Sequence, residues 1–96
     1  MSSVAYMPNV VLVEVDKFDP TPIYQQVAAI IREQIKAGEL QPRDQIPSES
    51  QMVKDHGIAR DTARQAVAML RDEGWVFTLP QRGSFVADKE DWPKDG

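Results

Sequence analysis

The chain has 96 residues, 42% of them apolar and 27% charged. This composition fits one small globular domain with a thin core and excludes wholesale disorder. There is no cysteine and only one histidine, His56, which excludes disulfides, thiolate metal sites and multi-histidine metal sites. No cofactor or metal is therefore expected. No apolar run approaches the ~20 residues that span a bilayer. The Val10 to Val13 run is too short for a signal peptide and lacks a basic lead-in. The expectation is a soluble cytoplasmic protein without a membrane partner.

The formal net charge is −4, which at first argues against nucleic acid. Its distribution weakens that objection. Residues 1–20 and 87–96 each carry a net −2, whereas 21–86 hold eight basic and eight acidic residues. Binding to DNA depends on the field of one face more than on the total. A neutral middle still predicts modest non-specific affinity, weakened further by salt.

In chain order, residues 1–9 read as loosely held. Val10 to Asp16 alternates as a short strand, with Val11, Val13 and Val15 on one side. Phe18-Asp19-Pro20 breaks it. Thr21 as N-cap and Pro22 at the first position start a helix over 22–37. Ile23, Val27, Ile30, Ile31 and Ile35 form its apolar stripe, and Lys36-Ala37-Gly38 ends it. A loop over 39–47 follows, with Ile46 buried in a short extended piece. Ser48 to Gln51 is a capping box opening a two-turn helix that runs to His56, with Gly57 as the stop. Ile58 points inward, and a longer helix starts at 59 or 60. Its buried side is Ala63, Ala66, Val67 and Leu70, and Gly74 ends it. Residues 75–79 read as a strand, 80–83 as a turn and 84–86 as the return strand. Tyr24, Trp75, Phe77 and Phe85 are placed as core aromatics, with Trp75 and Phe85 bridging the hairpin to the helices.

Two helices joined by a short turn containing glycine are the helix-turn-helix signature, and the hairpin stands where a wing would. The expected fold is mainly α with a small β-hairpin: a winged helix-turn-helix of three helices plus a wing, with an extra N-terminal strand. Residues 1–20 form an N-terminal arm, 21–87 the winged domain and 88–96 an acidic tail.

From Pro22 to Val86 the chain resembles the DNA-binding domain of the GntR family of bacterial regulators. The resemblance lies in Pro22-Ile23-Tyr24, Gly38-Glu39-Leu40, Ile46-Pro47-Ser48-Glu49, Arg60 with Thr62 and Arg64, Leu70 to Gly74, and Gly83-Ser84-Phe85-Val86. It covers about two-thirds of the chain. It implies a third helix in the major groove and two chains on a pseudo-palindromic site. In the family a ligand-sensing domain usually follows the wing; ten residues follow Val86 here, too few for one. Met1 and the acidic tail favour a complete small protein over a fragment. The chain departs from the family pattern at four positions. Arg43 and Gln81 stand where glycine is usual, Ser50 where arginine is usual, and Ala59 where a capping Ser or Thr is usual. The turn at Arg43 is expected to differ in geometry, and Ser50 to lack a contact the family makes.

On this reading Arg60 and Arg64, one helical turn apart, reach base edges, where the arginine fork matches guanine. The bland alternative is two solvated arginines, one paired with Asp61. Asp61 itself suits the helix N-terminus through the dipole. Thr62 donates to a phosphate or helps cap the helix. Gln65 faces outward toward adenine or phosphate, or is plain surface. Ser48 caps its helix beside a phosphate, with Ser50 close by. Arg82, between Gln81 and Gly83 at the hairpin tip, suits a narrow minor groove. His56 reads as a helix-end residue. The N-terminal valine strand pairs with the wing edge or with its copy in a second chain, which makes it a candidate dimer contact.

The leading reading is a sequence-specific, double-stranded-DNA-binding transcriptional regulator. It is expected to be a repressor that works as a homodimer, with no small-molecule effector domain visible. The alternatives are a winged-helix protein–protein interaction module, or the DNA-binding fragment of a longer ligand-responsive regulator. An enzyme has little support, because no nucleophile–base pair or metal cluster is visible.

Overall fold

A computed structural model of the chain describes residues 15–94. The elements run α1 (Ile23–Lys36), α2 (Glu49–His56), α3 (Arg60–Glu73), β1 (Val76–Leu79) and β2 (Gly83–Val86), then a 3-10 turn at Lys89–Asp91. The two strands form one antiparallel hairpin, with Val76 opposite Val86 and Leu79 opposite Gly83. Three helices and a wing are thus in place as the sequence predicts. The expected N-terminal strand lies mostly outside the described residues; Val15 and Asp16 belong to no regular element.

The core follows the 3.6-residue stripes of the two long helices. Val27, Ala28, Ile31 and Ile35 of α1 face Ala63, Ala66, Val67 and Leu70 of α3, and all eight are buried. Met52, Ile46, Ile58, Trp75, Val76 and Val86 close the cluster. α3 therefore lies at the centre of the packing, in contact with α1, α2 and β1.

The start of α1 differs from expectation. Pro22, not Thr21, occupies the cap position, and no side chain caps the helix. Thr21 is drawn into the preceding turn, where its N–H donates to Asp19 Oδ1 at 2.8 Å. That bond holds the Asp19 carboxyl below its ordinary pKa. Gln26 then ties the turn to the helix. Its Nε2 donates to the carbonyls of Asp16 and Thr21, and its Oε1 accepts from the Asp16 N–H at 2.8 Å.

Ser48 caps α2 as expected, accepting the Gln51 N–H at 3.1 Å. The capping box is only half made, because the Gln51 amide turns outward to Asp55 Oδ1 at 2.8 Å. Gly57, in the left-handed conformation, stops α2, and Ile58 and Ala59 complete a three-residue turn into α3. Ala59 gives α3 no side-chain cap, and among the described residues the Thr62 hydroxyl makes no hydrogen bond that would replace one.

Residues 43–46 lie along the second edge of β2. Arg43 N–H donates to the Val86 carbonyl, Val86 N–H to the Asp44 carbonyl, and Ile46 N–H to the Ser84 carbonyl, all within 3.0 Å. This is the short extended piece that buries Ile46. Strand alternation sends Val76 and Val86 into the core and Phe77 and Phe85 to the opposite face, where the two rings stack 5.8 Å apart. Phe85 therefore does not bridge the wing to the helices; of the two aromatics only Trp75 does, at 2% exposure.

Beyond the wing the chain folds back. Trp92 packs on Trp75 with ring centroids 5.5 Å apart, and its Nε1 donates to the Ala87 carbonyl at 2.8 Å. Arg43 grips Asp88 through Nε and Nη2 at 3.3 and 3.2 Å. The hydrogen-bonded carboxylate of Asp88 raises the Arg43 pKa further above its ordinary value.

Candidate nucleic-acid interface

Three pieces of chain meet at one groove of about 400 Å³. The first is the start of α2, with Ser48, Glu49 and Ser50. The second is the start of α3, with Arg60. The third is the wing, with Thr78, Gln81, Gly83 and Ser84. The buried contacts of Ile46, Val67 and Val76 hold these pieces in register.

The wing tip is built from Leu79-Pro80-Gln81-Arg82. Arg82 N–H closes the turn on the Leu79 carbonyl at 3.0 Å, and Gln81 takes φ 64°. Proline second and a positive φ third are the pattern of a type II turn. Gln41-Pro42-Arg43-Asp44 repeats it, with Asp44 N–H on the Gln41 carbonyl at 2.9 Å and Arg43 at φ 75°. Arg43 thus keeps the left-handed backbone that glycine would favour, contrary to the different geometry expected there. Gln45 Nε2 donates to the Arg82 carbonyl at 3.1 Å and braces the tip.

The two recognition-helix arginines are oriented by protein groups. Arg60 Nη2 donates to Ser50 Oγ at 3.1 Å, and its Nη1 lies 3.8 Å from Glu49 Oε1. Arg64 Nη2 is also 3.8 Å from Glu49 Oε1, and its Nη1 is 3.3 Å from Asp61 Oδ1. One carboxylate therefore holds both arginines side by side. The side chains are more than half exposed, and exposed pairs of this kind are worth ~0–1 kcal/mol. Such tethers set direction yet yield easily to a stronger anionic acceptor.

The remaining sequence-predicted residues are spread out. Arg82 is exposed at the tip, outside the groove lining and in no ion pair among the described residues. Thr62 is half-buried beside the arginines. Gln65 is exposed but turns to a second hollow with Tyr24, Ala68, Met69 and Asp72.

Glu49 was not singled out by sequence reasoning as a site residue. Its place at the start of α2 is visible in the sequence, but its reach to α3 requires the angle set by Gly57. Arg71 was also missed. It lies seven residues beyond Arg64, about two helical turns, and so on the same stripe; that signal was available. Among the described residues no group of acids and histidines could hold a metal. No helix described is long and apolar enough to cross a membrane.

Comparison with known proteins fits this geometry. Residues 23–86 match the model of the bacterial regulatory proteins of the gntR family. The chain is 44% identical over 73 residues to the HTH-type transcriptional repressor NagR of Bacillus subtilis, covering 76% of the chain and 30% of that protein. It is 41% identical over 69 residues to the histidine utilization repressor of Klebsiella aerogenes, covering 72% of the chain and 29% of the relative. The chain thus spans under a third of the length of these curated relatives. Among solved structures, YtrA from Sulfolobus acidocaldarius, a GntR-family transcription factor, superposes with a TM-score of 0.73 at 34% identity. That match covers 80% of this chain and 81% of the other. The AraR DNA-binding domain in complex with operator ORE1 gives 0.69 at 30% identity, covering 75% and 88%. The helix order, the wing and the matched span together make this chain a member of the gntR family of bacterial regulatory proteins.

Proposed function

We propose that the chain is a sequence-specific double-stranded-DNA-binding transcriptional regulator and not an enzyme. In this reading it is a repressor that acts in the cytoplasm as a homodimer on a pseudo-palindromic operator. One observation carries the reading: Arg60 and Arg64 stand side by side at the opening turns of α3, oriented by Glu49 and Ser50, across a groove from a wing tipped by Arg82. With α3 in the major groove, the two forks reach base edges, and guanine offers the matching acceptor pair. Ser48 and Ser50 approach a phosphate at the start of α2. Gln81, Arg82 and Gly83 follow the neighbouring minor groove, where a narrow width concentrates negative potential. Thr62 and Gln65 flank the arginine pair and contribute phosphate or base contacts. The solved AraR complexes with operator DNA support this arrangement by likeness of fold.

The test is selection from a pool of random duplexes, run beside an Arg60→Ala, Arg64→Ala variant. Enrichment of a two-fold symmetric motif is expected, and the variant should lose it. A protein-interaction module is the second reading, favoured by the net charge of −4 and by the neutralising of Arg60 and Arg64 by Glu49 and Asp61. It predicts no enrichment even at low salt. A DNA-binding part of a longer ligand-responsive regulator would present the same site, and the short span on the relatives is compatible with it.

A further inference from the structure

Arg60 and Arg64 each face a carboxylate; Arg71, on the same stripe of α3, faces none. Its Nη1 donates to Thr78 Oγ1 of β1 at 3.1 Å. Thr78 Oγ1 in turn lies 2.8 Å from Ser84 Oγ, its cross-strand partner on β2. Arg71 and Thr78 are exposed, and among the described residues Arg71 is in no ion pair. The cluster is a cation with two hydroxyls at the inner angle between α3 and the wing. Thr78 and Ser84 also line the groove that holds Ser48, Ser50 and Arg60.

We propose that Arg71, Thr78 and Ser84 form a seat for one phosphate of the DNA backbone. The inference rests on the reading that α3 enters a major groove and the wing the adjacent minor groove. Neighbouring grooves are separated by a single sugar-phosphate strand, so that strand must cross the angle between helix and wing. Arg71, Thr78 and Ser84 offer it donors there. Arg71 has five N–H donors and gives one to Thr78. The two hydroxyls carry two protons, and their mutual bond uses one. A guanidinium face and one hydroxyl proton are left for the anionic oxygens. Phosphate contacts of this kind fix register on the duplex without reading sequence.

The competing role for Arg71 is a brace that holds the wing against α3, and salt dependence separates the two. Binding of the whole chain to its selected operator and to a scrambled duplex is measured over a potassium chloride series, for wild type, Arg71→Gln, Arg71→Lys and Ser84→Ala. A phosphate contact predicts that Arg71→Gln lowers the magnitude of the log–log salt slope by about 0.9. It also predicts the same factor of weakening on both duplexes. Arg71→Lys should keep the slope, and Ser84→Ala should weaken binding at unchanged slope. A thermal melt of each variant checks that it is folded. An Arg71→Gln slope equal to that of wild type overturns the seat, whatever the affinity, and leaves the DNA reading intact. No binding by wild type to any duplex overturns both.

Discussion

Gln81 and Arg43 carry the left-handed backbone of their turns without being glycine, at φ 64° and 75°. An L-residue held there costs ~1–2 kcal/mol, because Cβ crowds the neighbouring carbonyl. Glycine removes that strain but adds freedom to the unfolded chain. The net expectation for Gln81→Gly is a gain of ~1 kcal/mol, read as a rise of ~4–8 °C in melting temperature for a domain this size. An unchanged or lower melting temperature would show that the Gln81 side chain supports the tip. Arg43 differs, since its guanidinium also grips Asp88, and a glycine there forfeits that pair. Both positions were legible in the sequence as departures from the family pattern. The pairing with Asp88 was not, because it joins residues 45 apart in sequence. Ser48 was legible through capping, and Arg60 and Arg64 through helix periodicity read together with the helix-turn-helix order and the family resemblance. The shared Glu49 carboxylate was not, because periodicity describes one helix at a time.

At the level of elements, the joint between α3 and β1 leaves no room for a side chain. Gly74 has φ 96°, and a Cβ there would lie 2.8 Å from the Asp91 carbonyl oxygen. The obstacle is backbone, which cannot swing aside like a side chain. Gly74→Ala therefore meets both backbone strain and a clash, and is expected to destabilise the domain by at least ~1–2 kcal/mol. Chemical denaturation should show a lower midpoint, together with loss of the Trp75–Trp92 contact. A variant as stable as wild type would mean that the 3-10 turn lifts away at little cost. The helices and the hairpin followed from amphipathic stripes, glycine stops and proline turns. The third extended segment along β2 was only hinted at by Ile46, since a single bridge leaves no periodic trace. The outward turn of Phe77 and Phe85 was missed, because aromatic residues in strands were assigned to the core without fixing which face was buried.

For the whole molecule, the distribution of charge matters more than its sum. Net charge is −4, and the two best-placed arginines already share a carboxylate. Among the described residues, Arg71 and Arg82 lie on this face outside any ion pair. Few counterions are then released on random DNA, so non-specific affinity should sit at the weak end, with Kd about 10⁻⁴ M at physiological salt. Fluorescence anisotropy with a scrambled duplex reads this directly; micromolar binding would mean that the acidic ends do not act at the interface. Such a protein gains selectivity by suppressing the background, not by tightening its grip on the target.

The contact between Trp75 and Trp92 has a further use. One ring belongs to the core and the other to the returning C-terminal segment, tilted at 41° across 5.5 Å. Two indoles this close share their electronic excitation, which splits the ultraviolet circular dichroism band in a way neither ring does alone. The chain therefore has its own optical gauge. Peeling back of the segment erases the split band while the helical signal persists, whereas global unfolding removes both together. Whether operator DNA loosens or clamps that segment can be followed without a label.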